Sequence, residues 1–555
     1  MKINLKRFPE EDFREVNVEG SITVEGVYRK FKDDFKYPVV GGRRNNKMVH
    51  LGTQVKAGDR IELLDMRDSS ALFIYQRSVI FLFLKGVFDV LGKDVKFKVC
   101  HPANNGVLVR PLSDNPEYLN YAADIKKRME QLVEEDLPIE QLHVSTRKVM
   151  EFLDTMEMEE KKAMTKKAGK GDGSTIYELD GFLDFCYDFL LPSTGYIYSF
   201  DLVRYYDGFL LRYPRADCPE GLPKNKDDIK LLNAFKDADK WERLMGVNYV
   251  EDLNNTIKDG TMPQLIQVCE AIHEKKIVEI AKEITEKNKR IILIAGPSSS
   301  GKTSFARRLQ IQLKVNGLSP IAFSTDDYFI NRADLEPDET GQVNFEGLNA
   351  LDVDLFNRDI NDLLSGKEVD IPVYNFITGV KEFGTRMTRI DSKQPIIIEG
   401  IHGLNSHLTS GIDDANKYKI YISPLTGLNV DMHNIVSTTD NRMLRRMVRD
   451  YRTRDKSAAV TIRDWPKVRA GEDENIFPYI NEADVFFNSV FIYEMSVLKK
   501  YVQPLLEQVT EDMDEYGEAE RLLQLLKFFD TCKDEKIILN NSILREFIGG
   551  SIFFD

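Results

Sequence analysis

Between residues 291 and 423 the chain carries four short apolar runs, "IILIAG", "PIAFST", "PIIIEG" and "YKIYIS", separated by segments with apolar residues at helical spacing. Short continuous apolar runs bounded by turn residues are the pattern of strands buried on both faces. Their alternation with helices predicts an α/β domain over residues 291–495, a parallel sheet covered on both sides. The pattern upstream is different. In residues 1–65, "GSITVEGVYRKF" reads as strand then helix and "VHLGTQVKAGDRIELL" as two strands joined by a Lys-Ala-Gly-Asp turn, which together predict a small β-rich domain. Residues 66–240 read as α+β, interrupted by an exposed loop at "TKKAGKGDGST", Thr165 to Thr175. Residues 241–290 form a helical connector, and residues 496–555 a helical extension in which "RLLQLLKFFD" is the clearest helix and "IILNNSILREFIGGSIFFD" fits no simple period.

A chain of 555 residues is too long for one core and is expected to divide into three or four domains. Its 76 basic and 90 acidic residues give a net charge of -14, which argues against general affinity for nucleic acid and leaves a local basic patch open. Five scattered cysteines without a CxxC pair fit a reducing, cytoplasmic compartment. The start "MKINLKRFPEEDFREV" has charges where a signal peptide needs an apolar core. The longest apolar run, "VIFLFL" from Val79 to Leu84, falls far short of the ~20 residues that span a bilayer, so no membrane partner is expected.

The candidate chemistry follows the first of the four runs. Gly296, Gly301, Lys302 and Thr303 satisfy GxxxxGK[ST] between an apolar strand and a helical pattern. In that context the loop from Gly296 through Pro297, Ser298, Ser299, Ser300 and Gly301 to Lys302, Thr303 and Ser304 is a phosphate cradle. Backbone N–H groups and the helix N-terminus face the phosphates, Lys302 reaches the β and γ groups, and Thr303 offers a hydroxyl to Mg²⁺. After the second run, "STDDYF" puts Asp326 and Asp327 at a strand end expected beside the phosphate loop, where a carboxylate can take the proton of an attacking hydroxyl or cap the next helix. The run "PIIIEG" ends in Glu399, which with Thr303 and Asp326 makes an oxygen-rich Mg²⁺ site. In "DNRMLRRMVRDYRTRDK", Arg442, Arg446 and Arg449 share a helix face, either solvated or closing over a transferring phosphate. His402 stands near the proposed site with a local structural role as good an explanation as catalysis, Trp465 is expected to pack beside the arginines, and Glu472 has no assignment.

Residues of about 290–490 resemble the uridine kinase and phosphoribulokinase family of P-loop kinases. The family's SxDxYY element resembles "STDDYF", which implies Asp326 as catalytic base with Tyr328 beside the acceptor. NFDxPxALD resembles "NFEGLNALD", Asn344 to Asp352, with Glu346 in place of a sugar-contacting Asp, and PVYD resembles "PVYN", placing Tyr374 near the acceptor. ILEG resembles "IIEG", giving Glu399 a metal role, and the DxRLxRRxxRD lid resembles "DNRMLRRMVRD", carrying over Arg446 and Arg449 with Arg454 following on the nucleotide. The resemblance implies ATP or GTP with Mg²⁺ and a nucleoside acceptor, uridine or cytidine. Three departures leave another nucleoside or a different hydroxyl compound, such as a sugar phosphate, open: Asn375 replaces the family's Asp, Gly379 to Lys381 replace the His-Thr-Arg that contacts the pyrimidine nucleoside, and the His-Pro of NFDHP is absent.

The N-terminal half resembles threonyl-tRNA synthetase instead, residues 1–65 its TGS domain and residues 66–240 its editing domain. The editing histidines fall on Arg77, Phe81 and Leu190, with Cys186 retained. Without imidazoles this site cannot support the metal or proton chemistry of hydrolysis, so the expected role is structural, regulatory or RNA-contacting, the last with the kinase domain as a nucleotide switch.

Overall fold

Five parallel strands form the sheet that the apolar runs predict, in the order Ile321–Ser324, Ile396–Glu399, Ile291–Ala295, Lys417–Ser423, Val485–Asn488. This computed structural model describes residues 1–10, 12–113, 115–156, 158–168, 173–186, 188–225, 229–335 and 346–554. The side chains of Ile291 and Leu293 join one core while those of Ile292 and Ile294 join another, so the strand is dry on both faces and its sequence reads as an unbroken apolar run. Helix Val353–Leu364 covers one face with Phe356, Ile360 and Leu363. The other face is covered by helix Lys302–Val315 and by Ile277, Ile280, Ala281 and Ile284 of helix Met262–Glu286. Residues of the C-terminal extension, among them Leu522, Leu525, Leu526 and Phe547, belong to that same core. The connector and the extension are thus packed as part of this sheet's covering layer.

Two of the expected divisions fall inside helices: 240/241 within Ile229–Met245, and 495/496 within Glu494–Leu506. The strand ending at Ser324 is also not the neighbour of the phosphate-loop strand. Strand Ile396–Glu399 lies between them, so Asp326 is one strand further out than expected and Glu399 stands in the middle. Apolar runs identify buried strands, whereas their order depends on crossovers the runs do not encode.

The first 65 residues fold as a five-stranded sheet, Arg14–Asn17, Lys2–Arg7, Arg60–Asp65, Val39–Arg44, Lys47–Val49, with helix Val24–Lys30 packed on it. The strand expected before that helix is reduced to one bridge, Thr23 to Gln54, because the Thr23 hydroxyl caps the helix by accepting from Gly26 N–H. Next comes helix Ser69–Leu91, capped by Asp68, which accepts from Ser70 and Ala71 N–H. With a mean hydropathy of 1.5 this helix is long and apolar enough to cross a bilayer, but 67% of that window is buried inside the protein. Its Phe83 packs on Phe97 and Phe209, and its Lys85 is tied to Asp89 and to the Asp180 carbonyl. Around it stand a four-stranded and a three-stranded antiparallel sheet. The segment Thr165–Thr175 is less of a loop than expected: helix Glu159–Ala168 runs into it with Thr165 buried, strand Gly173–Leu179 leaves it, and residues 169–172 lie outside the described residues.

Candidate functional site

Strand Ile291–Ala295 ends in the loop Gly296–Gly301, and helix Lys302–Val315 begins immediately after. A Cβ on Gly296 would stand 2.0 Å from the Ile422 carbonyl oxygen, so only glycine lets the loop pass so close to the neighbouring strand. Gly301 caps the helix with φ +85°, the left-handed conformation that turns the backbone into the helix and leaves its first N–H groups facing the loop.

Lys302 Nζ donates to the Gly296 and Pro297 carbonyls at 2.9 and 3.3 Å, and among the described residues it forms no ion pair. Thr303 Oγ1 donates to Glu399 Oε1 at 3.1 Å. Burial pushes the Glu399 carboxyl up to about 7, with Glu546 and Asp326 adding to the rise and Lys302 opposing it. Asp326 sits in the turn Thr325–Tyr328, whose entry Ser324 fixes by accepting from Asp326 N–H. Burial raises the Asp326 carboxyl as well, Lys302 pulls it back, and Asp327 adds repulsion. Asp327 itself is engaged by Arg386 at 2.8 Å. A glycine cradle, a lysine without a carboxylate partner, and a hydroxyl–carboxylate pair beside it are the groups that nucleotide phosphates and a Mg²⁺ ion require, so the residues present fit both.

The arginines divide into two sets. Arg442 and Arg445 are buried and clasp the loop from outside: Arg442 Nε donates to the Ser298 carbonyl at 3.0 Å and lies over Trp465, and Arg445 donates to the Ser299 carbonyl at 3.4 Å while pairing with Glu494 at 2.5 Å. Arg446, Arg449 and Arg454 instead converge on one buried carboxylate, Asp450, at 3.2, 3.1 and 3.4 Å. Arg446 also donates to Ser298 Oγ at 2.7 Å. Of the arginines expected on one face, Arg442 and Arg446 both reach Ser298, while Arg446 and Arg449 both meet Asp450.

Glu472, without assignment from sequence, proves central. It accepts from Ser298 N–H at 2.9 Å, from Arg469 at 3.1 Å and from Arg442, and so ties helix Ala458–Asn475 to the phosphate loop. No motif marks it, because the partners that tie it to the loop, Ser298 and Arg442, lie in other elements. Glu346 lies in this neighbourhood, its carboxyl raised by desolvation and then by Glu472. His402 is buried and held neutral, its pKa lowered to about 4 by that burial.

The two tyrosines expected at the acceptor share one core but meet different partners. Tyr328 turns into the core, its ring on Phe356 and its hydroxyl 3.4 Å from Asp359, because the turn after Ser324 directs it under the sheet. Tyr374 is buried against Phe329 and Phe376, and its hydroxyl has no hydrogen-bond partner among the described residues. Asn344 and Phe345 of the "NFEGLNALD" element lie outside the described residues.

Residues 291–496 match the Phosphoribulokinase / Uridine kinase family. A uridine kinase of Staphylococcus aureus (strain JH9) is 30% identical over 196 residues, 35% of this chain and 85% of that protein. A uridine kinase of Macrococcus caseolyticus (strain JCSC5402) is 29% identical over 223 residues, 39% of this chain and 97% of that protein. Among solved structures, a possible uridine kinase from Bacillus stearothermophilus covers 36% of this chain and 88% of that chain at 20% identity, with a TM-score of 0.24.

Proposed function

The chain belongs to the phosphoribulokinase/uridine kinase family, and we propose that it transfers the γ-phosphate of ATP or GTP to the primary hydroxyl of a nucleoside, uridine or cytidine, yielding the 5′-monophosphate. In this reading the loop N–H groups and Lys302 hold the phosphates, and Asp326 takes the proton of the attacking hydroxyl. Thr303, Asp326 and Glu399 would hold Mg²⁺, which when bound neutralises charge on the phosphate oxygens. Arg446, Arg449 and Arg454 face the charge that develops on the γ-phosphate, and Glu346 and Tyr374 serve the acceptor. The observation that carries the reading is the build of the loop: Gly296 and Gly301 shape the cradle, Lys302 is bonded to the Gly296 and Pro297 carbonyls, and the Arg446, Arg449 and Arg454 guanidiniums gather on the one carboxylate of Asp450. Backbone donors and cations over a glycine cradle suit a polyphosphate, and the Glu399 and Asp326 carboxyls near Lys302 suit its Mg²⁺.

A second reading, a sugar phosphate or other hydroxyl acceptor, draws support from two of the departures on the acceptor side. Asn375 is engaged with Glu382 at 2.9 Å and Lys381 with Asp352 at 2.6 Å, so both are spent within the fold at positions where the family reads a pyrimidine nucleoside. Incubating the protein with Mg·ATP and a panel of nucleosides and sugar phosphates, and identifying products by mass, separates the two. A nucleoside monophosphate supports the first reading, a doubly phosphorylated sugar the second, and ADP release that no acceptor accelerates contradicts both.

We infer for the N-terminal half a synthetase-like module, TGS-like over 1–65 and editing-like over 66–240, without the editing chemistry. Phe81, Cys186 and Leu190 lie in one apolar core, and Arg77 is paired with Asp188 at 2.8 Å. That packing supports a structural role.

A further inference from the structure

The C-terminal hook "SILREFI", Ser542–Ile548, comes back across 242 residues of sequence to the phosphate loop. Glu546 Oε2 accepts from the Ser304 backbone N–H at 3.1 Å and from Ser304 Oγ at 2.7 Å. Ile543 packs on Gly301 so tightly that a Cβ there would meet its Cγ2 at 2.4 Å. The hook is held from the other side by the arginine helix Thr438–Arg454: Arg452 donates to the Phe547 carbonyl at 2.8 Å, and the Arg445 guanidinium lies 4.9 Å from the centre of the Phe547 ring. Its base is anchored by Arg545, which donates to the Glu535 and Ile538 carbonyls at 2.8 and 2.9 Å.

Ser304 is the third residue of its helix, so its N–H is one of the donors that no helical carbonyl satisfies and that bind anions at helix N-termini. A carboxylate and a phosphate oxygen compete for that donor, and the same space cannot hold both. We propose that Glu546 is a built-in competitor of the nucleotide, its carboxylate holding an anion position of the phosphate loop from which nucleotide binding expels the Ser542–Ile548 hook. This rests on the reading of the loop as a nucleotide site. Expulsion has a second consequence, because Phe547 leaves Arg445 and Arg452 as it goes, and the arginine helix loses the contacts that hold it to the hook. Nucleotide affinity is lowered by the fraction of molecules with the hook seated, and what frees the hook raises it.

Two measurements on the full chain test this: the Kd of a fluorescent ATP analogue for wild type and Glu546→Gln, and hydrogen exchange of residues 542–550 in the wild type with and without a non-hydrolysable ATP analogue. Gln keeps the size and an acceptor oxygen but removes the charge. The expected result is about tenfold tighter binding by the variant, with faster exchange of the hook once nucleotide is bound to the wild type. Equal or weaker binding by the variant, together with a hook whose exchange nucleotide leaves unchanged, overturns the proposal and leaves the phosphate-loop reading standing. Failure of both proteins to bind the analogue overturns the two together. The exchange measurement needs no variant, so it holds even if Glu546→Gln folds poorly.

Discussion

The two halves of the chain treat their would-be sites in opposite ways. Around the phosphate loop, charged and polar groups converge: Lys302 is bonded to carbonyls, three arginines share Asp450, and burial raises the Glu399 and Asp326 carboxyls. Around Arg77, Phe81, Cys186 and Leu190, the space is filled instead. Phe81 packs at a tilt on Phe182, 5.3 Å between ring centres, Leu190 and Cys186 are buried in the same core, and Arg77 is paired with Asp188. Polar groups whose nearest partners leave charge uncompensated are costly to maintain, and proteins keep them where a ligand completes them. Apolar groups in close packing stabilise the fold and offer a ligand nothing.

That contrast can be broken from either side. The largest effect is expected from Gly296→Ala, because the added Cβ would stand 2.0 Å from the Ile422 carbonyl oxygen and the loop must move. A shift of about 1 Å in a positioning element costs about 100-fold or more, so titration with nucleotide should show binding lost or nearly so. Phe81→Ala should do the reverse, destabilising the protein by about 4 kcal/mol through the cavity it leaves while phosphoryl transfer by the folded protein is unchanged. Denaturant unfolding alongside a kinetic assay checks both halves of that statement. Arg446→Ala removes one guanidinium that faces the loop through Ser298 Oγ, and kcat/KM for nucleotide-dependent transfer should fall about 100-fold, with thermal stability little altered. The smallest effect is chemical. Burial pushes the Cys186 thiol up to about 11, so its thiolate is scarce at neutral pH, and alkylation of the native protein should stay slow and accelerate only as pH approaches that value. Rapid labelling of Cys186 at pH 7 would mean that the N-terminal pocket is open after all.

Different parts of this structure were legible to different degrees. The phosphate loop was readable because its chemistry demands particular residues at fixed local spacing, and the strands because burial on both faces leaves an unbroken apolar run. Strand order was not, since Glu399 comes to stand between Asp326 and the loop through crossovers with no local signature. Glu472 was missed because it acts across 174 residues on Ser298 N–H and lies on a helix that reads like any other. The hook was missed for the same reason, and its irregular sequence follows from what it does: Ile543, Glu546 and Phe547 each answer a different neighbour, and the one-turn helix Arg545–Ile548 is too short to impose a period. Tyr328 shows the opposite limit. A motif named it, and the local turn buried its hydroxyl against Asp359.

The most direct test is acceptor-dependent phosphoryl transfer by the full chain, wild type beside Asp326→Asn, with nucleotide affinity measured on the same samples. The proposed function predicts that uridine accelerates ADP release by the wild type, and that the substitution cuts that acceleration by about 10³-fold while nucleotide affinity stays nearly unchanged. Acceptor-dependent release at the wild-type rate in Asp326→Asn would contradict it.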